Sequence, residues 1–80
     1  MREIVITTEY IKLDSFLKLA NAVSSGGEAK ILITQGSVLV DGQPCLMRGK
    51  KIREGMQVSL GGESFLCRNA QGIEGEKNKK

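Results

Sequence analysis

Apolar and polar positions change period twice along this chain. Residues 3–7, EIVIT, are rich in β-branched side chains and predict a short strand. Residues 10–12 either continue it in extended form or lead into a helix. From Leu13 the spacing becomes helical: Leu13, Phe16, Leu17 and Ala20 recur at i, i+3, i+4 and i+7 and mark one apolar face. This predicts a helix over about 13–22, with Asp14 in its first turn, where a carboxylate suits the positive end of the helix dipole.

A second helix over about 26–35 carries clearer punctuation. Ser25 followed three residues later by Glu28 has the spacing of a capping box. Ala29, Leu32 and Ile33 form its apolar stripe, and Gly36 stands where a left-handed C-terminal cap is wanted. Gly26 and Gly27 weaken its first turn, each costing roughly 1 kcal/mol relative to alanine. Two explanations stay open: close backbone approach to a phosphate at the helix N-terminus, or tight packing of the two helices across a short connection.

The period then becomes that of strands. Val38, Leu39 and Val40 run into Asp41-Gly42, the dipeptide suited to a type I′ hairpin turn. Residues 43–47 return, and Pro44, which has no N–H for a ladder, places that strand at an edge or breaks it early. The run RGKKIR at 48–53 is expected as a mobile basic loop with Ile52 pointing inward. Glu54-Gly55 is a turn, and residues 57–60 and 63–67 flank Gly61-Gly62 as a second hairpin. The order strand, two helices, four strands predicts an α+β domain: two short helices packed on a small bent antiparallel sheet. Its expected limits are residues 1–68, with 69–80 a flexible polar tail.

Composition narrows function mainly by exclusion. Eighty residues hide only about 60–65% of the surface of their unfolded chain, too little for a deep water-excluding pocket. Histidine is absent, which removes the usual acid–base group near neutral pH and the commonest metal ligand. Serine nucleophiles therefore lack a histidine base, and no phosphate-loop, dinucleotide or metalloprotease motif occurs. No catalytic residue, metal site, cofactor or small-molecule substrate is expected. Cys45 and Cys67 form no CxxC pair and lie in apolar stretches, so both are read as buried small thiols. No run approaches the roughly 20 apolar residues that span a bilayer, and the charged start MREIVITTEY lacks the apolar core of a secretory signal. A soluble cytoplasmic protein without membrane contact is the expectation.

Charge supplies the positive clue. Twelve basic against nine acidic residues give a net charge of +3. Arg48, Lys50, Lys51 and Arg53 fall within six positions that hold no acid. Clustered cations attract polyanions, because phosphate contacts release condensed counterions; the plain alternative is a solvated turn. Lys12, Lys30 and Gln35 extend the set if the second helix packs beside the basic loop. Aromatic residues are few (Tyr10, Phe16 and Phe65), so stacking platforms for single strands are poorly supplied. Cations without aromatics suit structured RNA, read mainly by shape.

The residues Lys12-Leu13-Asp14, Leu17, Ser25, Ala29-Lys30, Leu32-Ile33, Gln35-Gly36, Val38, Val40-Asp41-Gly42, Ile52 and Gly55 together resemble the alpha-L RNA-binding motif, the S4-like domain. The resemblance covers about residues 10–60 and is closest to the short, stand-alone bacterial members. It implies two helices followed by a bent strand assembly that binds structured RNA, typically ribosomal. The positions implied for binding are Lys12, Ser25, Lys30 and Gln35, with the loop holding Arg48, Lys50, Lys51 and Arg53 continuing the surface. Where the family commonly has arginine after the helix-two serine, this chain has Gly26, and the amides of Gly26 and Gly27 are the expected replacement. Larger relatives attach such a domain to pseudouridine synthases, methyltransferases or tRNA synthetases, whose catalytic parts are absent here. The expected partner is ribosomal or tRNA-like RNA, or a ribosomal subunit. The rival is a protein-interaction module docking on a ribosomal or replication-associated partner through the edge strand near Pro44 and the tail after Arg68.

Overall fold

The computed structural model describes residues 1–70. Its elements, in order, are β1 (Arg2–Ile6), β2 (Ile11–Lys12), α1 (Leu13–Leu19), α2 (Gly26–Thr34), β3 (Val38–Val40), β4 (Gln43–Pro44), β5 (Lys51–Ile52), β6 (Gln57–Leu60) and β7 (Glu63–Asn69). The α+β architecture is the expected one. Five strands form a sheet in the order β1-β7-β6-β3-β4, and β2 pairs with β5 as a separate ribbon.

Two features of the topology differ from the sequence expectation. The main sheet is mixed, because β1 lies parallel to β7 while the other pairs are antiparallel. A parallel partner needs a long crossover, and here the whole intervening chain supplies it. The basic run is also less free than a mobile loop: Lys51–Ile52 is strand, paired in register with Ile11 and Lys12. Ile52 does point inward, fully buried as expected.

Both helices end on left-handed residues. Helix α1 stops at Leu19, short of the expected 22, because Asn21 adopts φ 60°. The Asn21 and Ala22 amides then donate to the carbonyls of Lys18 and Leu17 at 3.0 and 2.9 Å, a Schellman closure. Helix α2 closes in the same way on Gly36, φ 84°, with Gly36 and Ser37 donating to Ile33 and Leu32. At its other end Glu28 N–H donates to Ser25 Oγ at 3.2 Å, as a capping box requires. The Glu28 carboxylate reaches one residue further back than expected, accepting from Ser24 N–H at 2.8 Å and Ser24 Oγ at 3.0 Å.

The core joins the helices to the sheet. Leu13, Phe16, Leu17 and Ala20 are all fully buried, with Ala29 and Ile33 of α2 beside them. Phe16 meets Phe65 of β7 edge to face, centroids 6.5 Å apart. Asp41 and Gly42 both take positive φ, 52° and 87°, which makes the first hairpin the expected type I′ turn. Strand β4 is an edge strand that breaks off after two residues, as expected of Pro44. Strand β7 continues past the expected residue 67 to Asn69, which is buried and donates from Nδ2 to the Thr8 carbonyl. Most of the expected tail lies outside the described residues. Cys67 is buried and Cys45 half-buried, both as free thiols.

Candidate nucleic-acid interface

The β2–β5 ribbon opens directly into α1 and fixes the basic segment against that helix. Lys12 is the N-cap of α1 but makes no side-chain capping bond. Two of the helix's orphan amides are satisfied instead by the basic segment: Leu13 N–H donates to the Lys50 carbonyl at 2.8 Å and Asp14 N–H to the Arg48 carbonyl at 3.1 Å. Lys50 N–H in turn donates to the Met47 carbonyl at 3.1 Å. The backbone between 47 and 52 is thereby held at both ends, while Arg48, Lys51 and Lys12 keep exposed side chains and Lys50 is half-buried.

Lys12 stands directly opposite Lys51 in the ribbon. Like charges facing across a strand pair are unfavourable, and among the described residues no carboxylate lies within ion-pair distance of Lys12, Arg48, Lys50 or Lys51. Part of the repulsion is offset by Tyr10: Lys51 Nζ lies 4.9 Å and the Arg53 guanidinium 5.3 Å from its ring centroid. Arg53 differs from its neighbours, because its guanidinium pairs with Glu9 at 3.2 Å. Its charge is therefore partly neutralised, by an acid that lies 44 residues away in sequence.

Helix α2 supplies the other expected positions, spread along its length. Ser25 caps its start and is occupied by Glu28 N–H. Gly26 and Gly27 carry ordinary helical φ, and a methyl on Gly26 would meet nothing within 4 Å, while one on Gly27 would meet only Ser25 Oγ at 3.9 Å. Close packing of the helices does not explain these glycines. The Glu28 carboxylate stands at the same end, its pKa held below the ordinary glutamate value by the hydrogen bonds from Ser24, backbone first. Lys30 is exposed on the middle of the helix. Gln35 is the C-cap, with Nε2 donating to Ser37 Oγ at 3.1 Å. Just past the C-terminal end of α2, a methyl on Gly36 would stand 3.9 Å from Leu46 Cδ2, two residues before the basic run.

The structure thus brings the backbones of Lys12, Arg48, Lys50 and Lys51 together at the start of α1 and turns Arg53 toward Glu9. It distributes Ser25, Gly26, Gly27, Lys30 and Gln35 along α2. Sequence reasoning missed Tyr10 and Glu9 as partners of the basic run, and Met47 and Met56 as its apolar neighbours. The only local signal was the isolated Ile11 and Ile52, whose pairing makes the ribbon.

A family profile for the S4 domain matches residues 4–67. The chain belongs to the S4 domain family. This S4 domain is 44% identical over 59 residues to the probable ribosome maturation protein RlbA of Bacillus subtilis (strain 168), covering 74% of this chain and 83% of that protein. Its fold is similar to the solution structure of YbcJ from E. coli, described as revealing an alpha-L motif involved in RNA binding. The two share 33% sequence identity with a TM-score of 0.66, over 85% of this chain and 87% of the other. Among the described residues no group of three His, Cys, Asp or Glu is placed to hold a metal ion. No described helix is long and apolar enough to cross a membrane.

Proposed function

We propose that this S4 domain is a non-enzymatic RNA-binding module of the cytoplasm, acting on structured RNA, with ribosomal RNA or a maturing ribosomal particle as its target. The carrying observation is the group Lys12, Arg48, Lys50 and Lys51, exposed or half-buried and without carboxylate partners among the described residues, on a backbone braced against the start of α1. Opposing two lysines in register costs stability, and a polyanion lying across them recovers that cost. The likeness to a probable ribosome maturation protein and to a fold described for RNA binding supports the same reading. Lys30 and the open first turn of α2 extend the contact surface, with Ser25, Gly26 and Gly27 offering backbone rather than charge.

The reading is tested by salt titration. With four to six phosphates engaged, log affinity for an RNA hairpin falls with log salt at a slope of about −3 to −5. A flat response overturns it. Docking of a protein strand along β4, the rival reading, is disfavoured by Pro44: Cys45 N–H donates inward to Val38 at 3.0 Å, and the outward-facing residue before it has no N–H to offer. Partners that survive nuclease treatment in a pull-down would restore that rival.

A further inference from the structure

Two open grooves meet beside the basic segment and share Met47, Lys50 and Met56. One, about 450 Å³, runs on over Val40, Asp41, Gln43, Pro44, Cys45 and Leu46. The other, about 470 Å³, runs on to Lys51 and Arg53. One end of the combined trough is therefore mostly apolar, its one acid, Asp41, engaged by Gln57 N–H, and the other end is cationic. Two contacts touch its walls: Arg53 N–H donates to Met56 Sδ at 3.2 Å, and Cys45 Sγ donates to the Met47 backbone carbonyl at 3.6 Å. Leu46 and Met47 nevertheless remain 59% and 64% exposed.

A ligand that suits both ends has a flat apolar part joined to an anionic part. A nucleotide unpaired from its helix has this character, with its base over thioethers, which make favourable contacts with aromatic rings, and its flanking phosphates on lysines. A peptide is less well served, since Pro44 denies the adjacent edge its outward N–H. We propose that this trough receives an unpaired nucleobase of the bound RNA, with Met47 and Met56 against the ring and Lys50 and Lys51 on the neighbouring phosphates. The proposal rests on the RNA-binding reading and narrows it: the preferred target is a helix interrupted by a bulge or internal loop.

The chain's three methionines make the test direct. In protein labelled with ¹³C at the methionine methyls, adenosine monophosphate and a short RNA stem with one bulged adenosine should shift Met47 and Met56 and leave Met1 unmoved. The bulged stem should bind about tenfold tighter than its fully paired counterpart, the scale of one stacked base. Met47→Gln, at an exposed position, should remove most of that preference and leave binding of the paired stem unchanged. Equal affinity for the two stems with Met47 and Met56 unmoved, under a retained salt slope, overturns the trough while the RNA reading stands. Failure to bind either stem overturns both. Shifts produced by an acidic leucine-rich peptide, but not by the nucleotide or the bulge, assign the trough to a protein and overturn the proposal.

Discussion

Gly26 and Gly27 occupy a helical first turn in which neither φ nor packing calls for glycine. Alanine there removes freedom from the unfolded chain, so Gly26→Ala should stabilise the fold by about 0.4–1 kcal/mol, measured by urea denaturation. If RNA approaches this backbone, the same variant binds more weakly; unchanged binding would show that α2 contributes through Lys30 alone. Asp41 is the opposite case. It takes φ 52°, and its Oδ1 accepts from Gln57 N–H at 2.9 Å, tying the first hairpin to β6. Asp41→Ala loses the acceptor and strains the turn, and should cost about 1–3 kcal/mol; Asp41→Asn, which keeps an acceptor and tolerates the left-handed region, should cost less. Cys67 is buried at the centre of β7, and desolvation first, then the Glu54 charge, push its thiol pKa up. A thiol reagent at neutral pH should therefore modify half-buried Cys45 in the folded protein and reach Cys67 only on unfolding.

At the scale of elements, the start of α1 explains how a basic segment becomes a rigid one. The carbonyls of Arg48 and Lys50 cap the helix amides, so the cations ride on backbone that α1 needs for its own termination. Lys12→Glu should therefore leave the fold intact. It should even stabilise it by about 0.2–1 kcal/mol, by replacing a like-charge pair with Lys51 by an opposite one, while RNA affinity falls. Loss of both stability and binding would mean that Lys12 is structural. Helix α2 carries a pH dependence of its own. Ser24 holds the Glu28 pKa below its ordinary value, so the carboxylate's contribution is present above the unfolded-state pKa and is lost as pH falls through the lowered folded one. In Glu28→Gln the drop in urea midpoint between neutral pH and strongly acidic pH should be smaller than in the parent chain; an equal drop would place the acid sensitivity elsewhere.

Across the whole molecule, β1 and β7 close the fold by joining the two ends of the described chain in parallel. Arg68 reinforces that closure, pairing with Glu3 of β1 at 3.5 Å and with Glu54 at 3.0 Å. Exposed pairs of this sort contribute little, so the closure rests mainly on burial of Ile4, Ile6, Phe65 and Cys67. Lys12 and Lys51 sit on the separate β2–β5 ribbon, with Arg48 and Lys50 on the segment leading into it, outside that closure. Replacing Lys50 and Lys51 together by glutamate should accordingly weaken RNA binding and flatten its salt dependence while the far-UV circular dichroism stays that of the parent. Binding that survives would reduce the segment to a solvated turn.

Features decided between near neighbours were legible from the order of residues alone. Helix faces followed from the spacing of Leu13, Phe16, Leu17 and Ala20, and the hairpin turn from Asp41-Gly42. The cap followed from Ser25 and Gly36, and the edge position from Pro44. Each depends on steric or hydrogen-bonding preferences acting within a few residues. Tertiary structure alone decided the parallel pairing of β1, because Arg2–Ile6 alternates in a way that fits any sheet edge. It also decided the state of the basic run. Opposing Lys12 to Lys51 and setting Arg53 against Glu9 both require segments far apart in sequence to meet. Charge composition counts cations, but whether a cation is neutralised, braced or left open to a phosphate depends on which distant group folding brings alongside it.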